Sequence, residues 1–415
     1  MRRNIIIAVA VIVLVAVGFY GVFSSRVDPP DRQAEQVAPA VPQVAVPQVA
    51  APQVAAPLQP PPTVTETAPP AVSPPTTPPP AAAVAPPSVA PPSGAPPSGA
   101  PTTGALVLGL PLRCEPGVDC WIANYVDMAA GPEVRDYNCG LLAYDGHKGT
   151  DFALRSLAEM RAGVEVIAAA SGTVEGVRNI AEDVDVQRAG RQSVSGAECG
   201  NGVVLAHANG WKTQYCHMLK GSVTVQTGQS VATGEVLGKV GLSGLTEFPH
   251  VHLQVSLNGA IVDPFAGTDR KALCGLGPNP LWNKALLAKL SYKPTMIYNI
   301  GFAPELPEWE AVRGGRYREK VLPASTEALV VWAEIFGVQA GDKMTLTIKG
   351  PDGKVLINER VEQTRPQARR FLMAGKRVSV GAWLPGTYHG SIVVSRTRDK
   401  QGPVTFTAET VVDIK

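Results

Sequence analysis

The first pattern along the chain is an uncharged apolar run at residues 5–23. At about 1.5 Å per residue, a helix over that run is about long enough to cross the hydrocarbon core of a bilayer. Arg2 and Arg3 precede it and predict a cytoplasmic N-terminus, with everything after the run exported. A cleaved signal peptide is the rival reading, but its apolar region usually covers about 7–15 residues. Val22-Phe23-Ser24 is also a poor cleavage site, so an uncleaved anchor is expected. After residue 104 the pattern changes to short Val- and Thr-rich runs broken by glycines and polar turns. These predict strands at 164–168, 172–177, 203–206, 212–215, 222–225, 236–240 and 251–255. At 281–290 the period turns helical, which reads as a connector.

Beyond residue 297 alternation resumes, predicting strands at 328–336, 344–349, 354–360, 388–394 and 404–412. Gly350-Pro-Asp-Gly353 is a strong hairpin turn, and Leu384-Pro-Gly-Thr-Tyr388 looks like the edge of an immunoglobulin-like sandwich. The fold class expected is mainly β.

Composition removes one stretch from this scheme. Residues 36–104 hold 22 of the 39 prolines, no aromatic residue and Glu66 as the only charge. Such a tract has no large side chains to bury and cannot offset its ordering entropy. Frequent proline favours extended polyproline II, so the tract is expected to act as a spacer between membrane and folded domains. The expected organisation is therefore a cytoplasmic start and signal-anchor helix (1–26), a disordered Pro/Ala-rich linker (27–104), a first β domain (105–275), a connector with a short helix (276–296) and a β-sandwich (297–415). The net charge of +2 provides no basic field, which argues against nucleic acid as a partner.

All six cysteines lie beyond the linker, and an even number in an oxidising compartment predicts up to three disulfides. Cys114 and Cys120 would close a short loop, and Cys199 and Cys216 flank a probable hairpin. Cys139 and Cys274 remain. Fifteen pairings are formally open. A cysteine-based zinc site is disfavoured because no Cys-x-x-Cys pair occurs.

The histidines carry the candidate chemistry. His147 and Asp151 stand in Gly-His-Lys-Gly-Thr-Asp-Phe, and His250 and His252 in Pro-His-Val-His-Leu. Residues two apart on a strand share a face, so His250 and His252 would project into one groove. His217, in Tyr-Cys-His-Met-Leu, follows a strand that can lie beside them. Imidazole and carboxylate suit Zn²⁺, and a catalytic zinc commonly keeps three protein ligands. Each piece alone also fits a polar strand face or a local hydrogen bond. His207 beside a turn and His389 in Thr-Tyr-His-Gly are read as structural or solvated.

Taken in order, His147-Lys-Gly-Thr-Asp151, Tyr215-Cys216-His217-Met218 and His250-Val-His252 resemble the M23 (LytM/lysostaphin-like) family of zinc metallopeptidases of bacterial peptidoglycan. Met218 stands where leucine is more usual. The Gly-rich run at 225–238 also fits, and the resemblance covers roughly residues 105–270. It implies an antiparallel catalytic domain with Zn²⁺ held by His147, Asp151 and His252, and with His217 and His250 lining the site as catalytic residues. It also implies a peptidoglycan substrate, a periplasmic catalytic domain tethered to the inner membrane, and partners among divisome components or wall-hydrolase regulators. A relative without activity, serving as activator or scaffold for another wall hydrolase, is the alternative. The segment at 178–197 departs from a minimal family domain and would shape or cover the groove.

Overall fold

The computed structural model describes residues 106–268, 274–378, 381–398 and 402–415, together with the backbone of 22–27. The linker expected at 27–104, apart from Val27, and most of the apolar run at 5–23 lie outside the described residues. The last two positions of that run, Val22 and Phe23, open strand β1 (Val22–Val27) instead of ending a helix. β1 pairs antiparallel with residues 371–376 of a later strand, whose edge offers unpaired backbone groups. Among the described residues no helix is long and apolar enough to cross a membrane.

The first large sheet draws on β2 (Cys120–Asn124), β3 (Gly149–Leu154), β5 (Gly172–Arg178), β6 (Asn201–Ala206), β7 (Trp211–Met218), β8 (Ser230–Val231), β10 (His250–Leu257) and β11 (Ala260–Ile261). Its order is β2-β3-β10-β7-β6-β5-β8, with β11 paired to β10, and its pairs are antiparallel. β4 (Glu165–Ile167) and β9 (Val236–Lys239) form a separate ribbon. Phe152, Leu205, Tyr215, Leu237 and Leu253 are fully buried in the core beneath. Helix α1 (Leu157–Ala162) follows β3. Ser156 Oγ accepts from Glu159 N to start it, and Gly163, at φ 89°, ends it. The segment at 178–197 holds α2 (Val186–Ala189), capped by Asp185. The connector helix is shorter than expected, α3 (Lys284–Lys289), and Leu281, Trp282, Leu286 and Leu290 around it join the first core. The expected strand at 222–225 does not form. One backbone bond to β9 survives, Thr224 N to Leu237 O, and side-chain bonds interrupt the rest: Asn179 Oδ1 accepts from Val223 N, and Ser222 Oγ accepts from Lys239 N.

The C-terminal part stacks two sheets. One is ordered β1-β17-β14-β12, from β12 (Met296–Ala303), β14 (Ala328–Val338) and β17 (Gln367–Arg377). The other is ordered β13-β19-β18-β15-β16, from β13 (Val321–Leu322), β15 (Lys343–Lys349), β16 (Val355–Glu362), β18 (Gly386–Arg398) and β19 (Gly402–Ile414). Val331, Ala333 and Leu372 of the first meet Leu346, Ile392 and Val412 of the second in a common core. β14 is buried along its whole length. Its other face carries Val330 and Trp332 against a small cluster with Val312 of helix α4 (Trp309–Arg313). Tyr388 Oη donates to Leu384 O at 3.0 Å, tying down the Leu-Pro-Gly-Thr-Tyr turn.

All three cysteine pairs read from the sequence form: Cys114–Cys120, Cys139–Cys274 and Cys199–Cys216.

Candidate metal centre

Strand pairing brings the polar residues together. Antiparallel pairing of β3 with β10 sets His252 directly opposite Asp151. On the other side of β10, pairing with β7 sets Cys216 opposite His252, so His217 is the next residue along. His147 arrives from a turn two residues before β3. Gly146 there takes φ 73°, and Asp127 Oδ2 accepts from its N–H. The backbone then holds His147 on both sides, since its N–H donates to Tyr144 O and its carbonyl accepts from Asp127 N.

The donor atoms converge. His147 Nε2 lies 3.2 Å from Asp151 Oδ1 and 3.1 Å from His252 Nδ1, and His252 Nδ1 lies 2.9 Å from Asp151 Oδ1. The three donors all fall within 4.8 Å of one another. Zinc bound by nitrogen and oxygen at about 2.0–2.1 Å in a tetrahedron needs donors about 3.3 Å apart, so the triangle fits that ion closely. Each donor's far side is fixed as well. His147 Nδ1–H donates to Tyr125 O at 2.6 Å, which leaves Nε2 with its lone pair toward the centre. Asn124 Nδ2 donates to Asp151 Oδ2 at 2.9 Å, leaving Oδ1 facing the imidazoles. Gly149 is required by the close approach of His252, since a Cβ there would stand 2.6 Å from His252 Nε2.

His217 and His250 lie beside the triangle, their ring centroids 4.7 Å apart, and His217 is 5.9 Å from His252. His217 takes φ 63°, a left-handed conformation, at the bulge where the β6–β7 register shifts between the Asn201–Met218 and Val203–Tyr215 pairs. Its N–H donates to Cys199 O and its Nδ1–H to Ser243 O, both at 2.8 Å. His250 Nδ1–H donates to Phe248 O at 2.9 Å, with Thr246 Oγ1 3.1 Å away, and its Nε2 is 3.5 Å from Asp151 Oδ1. Both Nδ1 atoms thus carry the proton, and both Nε2 atoms are acceptors. Burial pushes the His217 imidazole well below the ordinary histidine value, helped by His250 and His252, and burial lowers His250 in the same direction. Burial alone would raise Asp151, but His147 and His250 outweigh it and hold the carboxyl well below the usual range. Acceptor imidazoles beside an ionised carboxylate suit a divalent cation and proton transfer next to it.

All five candidate residues therefore share one centre. His207 stands apart, its ring tied to Ser171 O at 2.7 Å and Thr213 Oγ1 at 2.8 Å, and His389 lies exposed on β18. Asn124, Tyr125, Gly149 and Ser243 were not foreseen. Gly149 alone left a trace, as the glycine inside His-x-x-x-Asp.

The centre falls inside a recognisable family segment. Residues 145–264 match the family model of peptidase family M23. An uncharacterized metalloprotease of Haemophilus influenzae is 36% identical to the chain over 118 residues, 28% of this chain and 20% of that protein. The DD-carboxypeptidase/endopeptidase Mpg of Neisseria meningitidis is 42% identical over 65 residues, 16% of this chain and 14% of that protein. The peptidoglycan DD-endopeptidase ShyA of Vibrio cholerae is 31% identical over 117 residues, 28% of this chain and 22% of that protein. The chain thus spans about a fifth or less of the length of these curated relatives. Residues 145–264, which contain all five converging side chains, belong to peptidase family M23.

Proposed function

We propose that the chain is a zinc endopeptidase hydrolysing peptide bonds of bacterial peptidoglycan, with its folded part in the periplasm and the apolar residues ahead of β1 as its membrane anchor. The observation that carries this reading is the His147–Asp151–His252 triangle with two neutral, oriented imidazoles beside it. The related Mpg and ShyA, whose names specify endopeptidase activity, supply the substrate class.

His147, Asp151 and His252 would hold the ion. A zinc there supplies Lewis-acid polarisation of a carbonyl and an acidified water. The chain's own groups do the rest. His250 holds its Nε2 3.5 Å from Asp151 Oδ1, and His217, with its Nδ1–H on Ser243 O and its ring beside His250 and His252, keeps Nε2 as an acceptor, so either can accept a proton from the attacking water and return it to the leaving amine. Between those two transfers the protonated ring faces the developing oxyanion as a donor. Tyr125 O and Asn124 keep the ligand atoms aimed inward, and the left-handed backbone of His217 fixes where its ring stands.

The test is zinc analysis and digestion of purified sacculi by the full-length protein. About one zinc per chain is expected. His147→Ala and His252→Ala should lose both metal and digestion. His217→Ala should keep the metal and lose about a hundredfold or more in rate. Zinc bound at this centre without any wall digestion would overturn the enzyme reading in favour of an activator.

A further inference from the structure

The ligands of the triangle are braced from within their own sheet, but His250 is braced from elsewhere. Its ring stacks on Phe248, with centroids 4.6 Å apart and planes at 28°. Phe248 in turn sits under the sandwich, since the Arg369 guanidinium of β17 lies 5.3 Å from its centroid and Phe336 of β14 meets it edge-on at 6.0 Å. Arg369 also pairs with Glu247, Nη2 to Oε2 at 2.9 Å, and both side chains are about one-tenth exposed. A second arginine from the sandwich side, Arg313 of α4, donates to Glu247 O and pairs with Asp185 Oδ2 at 2.8 Å.

Asp185 belongs to the 178–197 segment, which grips the same loop. Val186 N donates to Thr246 O at 3.0 Å, and Gln187 Nε2 to Glu247 Oε1 at 2.7 Å. The loop at 246–248, which supplies both acceptors of His250 Nδ1, is thus clamped between the inserted segment and the C-terminal sandwich.

We infer that the sandwich is part of the catalytic apparatus, with Arg369 a positioning residue that sets the His250 imidazole through Glu247 and Phe248. A role in peptide hydrolysis for that imidazole rests on the function proposed above, whereas the mechanical coupling does not. Charge and stacking act together in Arg369: the ion pair fixes the loop's height over the groove, and the guanidinium face presses the Phe248 ring against His250. Lysine retains the charge but loses the planar face, so it restores only part of the effect.

The experiment uses full-length, zinc-loaded protein with ¹⁵N-labelled histidine, and assigns the His250 ring signals by their loss in His250→Ala. In Arg369→Ala the His250 ring signals should shift, while those of His147 and His252 stay in place and zinc content is unchanged. On a soluble cross-linked muropeptide, kcat should fall about tenfold to a hundredfold with KM little changed, since a misplacement of about 1 Å is worth up to about a hundredfold. Arg369→Lys should recover part of the rate. Glu247→Gln, which keeps shape and weakens the ion pair, should move the same signals by less. An unmoved His250 spectrum in both Arg369→Ala and Glu247→Gln overturns the inference, as does a loss confined to KM or to zinc. If wild-type protein cleaves nothing, the hydrolase reading fails. A shifted His250 signal in Arg369→Ala would still support the clamp.

Discussion

On the face of the sheet that carries the centre, four of the chain's six histidines and Asp151 crowd into one buried cluster, each with an identified partner on its far side or beside it. The sandwich, of similar strand count, buries Val, Leu and Ile across its two sheets. Among its described buried charges are the Asp342–Arg396 pair inside it and Glu334 near the contact with the first domain. A lone buried pair fixes one local geometry, whereas a cluster sharing atoms around one point creates a place where charge can move. Desolvation weighs on both. The expected response to mutation differs accordingly, fold stability for the sandwich's buried pair and metal affinity for the clustered donors.

The sharpest test of that contrast is Arg396→Ala. Arg396 donates through Nε and Nη2 to both carboxylate oxygens of Asp342, at 2.7 and 2.6 Å, and also reaches Thr295 Oγ1 and Gly337 O. Its removal leaves Asp342, at 0% exposure, without its cation, and should cost about 3–5 kcal/mol of unfolding free energy. Chemical denaturation would measure it, and zinc affinity of the folded fraction should not change.

Asp263 comes next. Burial, with Asp136 nearby, raises its carboxyl from 3.8 to about 6. Folding therefore favours the protonated form, a contribution fully present below about pH 4 and lost as pH rises through about 6. Two units correspond to about 3 kcal/mol. Stability curves of wild type and Asp263→Asn should diverge over that window and run parallel above it.

Gly149→Ala should strain the β3–β10 pairing and act directly on the metal. The added Cβ would collide with His252 Nε2 and Leu253 O, so zinc affinity should drop about tenfold to a hundredfold by competition titration. Lys212→Ala should have the smallest effect. Its pair with Glu175 at 2.6 Å is almost half exposed on both sides, so melting should register less than about 0.5 kcal/mol.

The centre was more legible in the sequence than the strands that build it. His-x-His marks itself because alternation on a strand is strict, and the cysteine pairs followed from one short loop, one hairpin and the two cysteines left over. β3 was invisible: Gly-Thr-Asp-Phe-Ala-Leu is buried at every position, so it shows no alternation to read. β17, with four arginine or lysine residues among its eleven, lacks the apolar signature of an inner strand. The clamp on His250 left no local mark either, because Asp185 meets Arg313 and Glu247 meets Arg369 across separations of more than a hundred residues. The expected strand at 222–225 failed for the converse reason: its apolar alternation is real, but the Asn179 side chain takes the Val223 N–H and Ser222 Oγ takes the Lys239 N–H that a ladder would use.

Pairing of β3 with β10 joins residues 105 positions apart, and β7 must be in place between them and β6. A chain emerging from the ribosome thus carries His147 and Asp151 for about a hundred further residues before their third companion exists. No proteolytic fragment ending ahead of β10 can assemble the triangle. The triangle is absent from every nascent chain that stops short of β10 and arrives in a single step, with the last of the central strands.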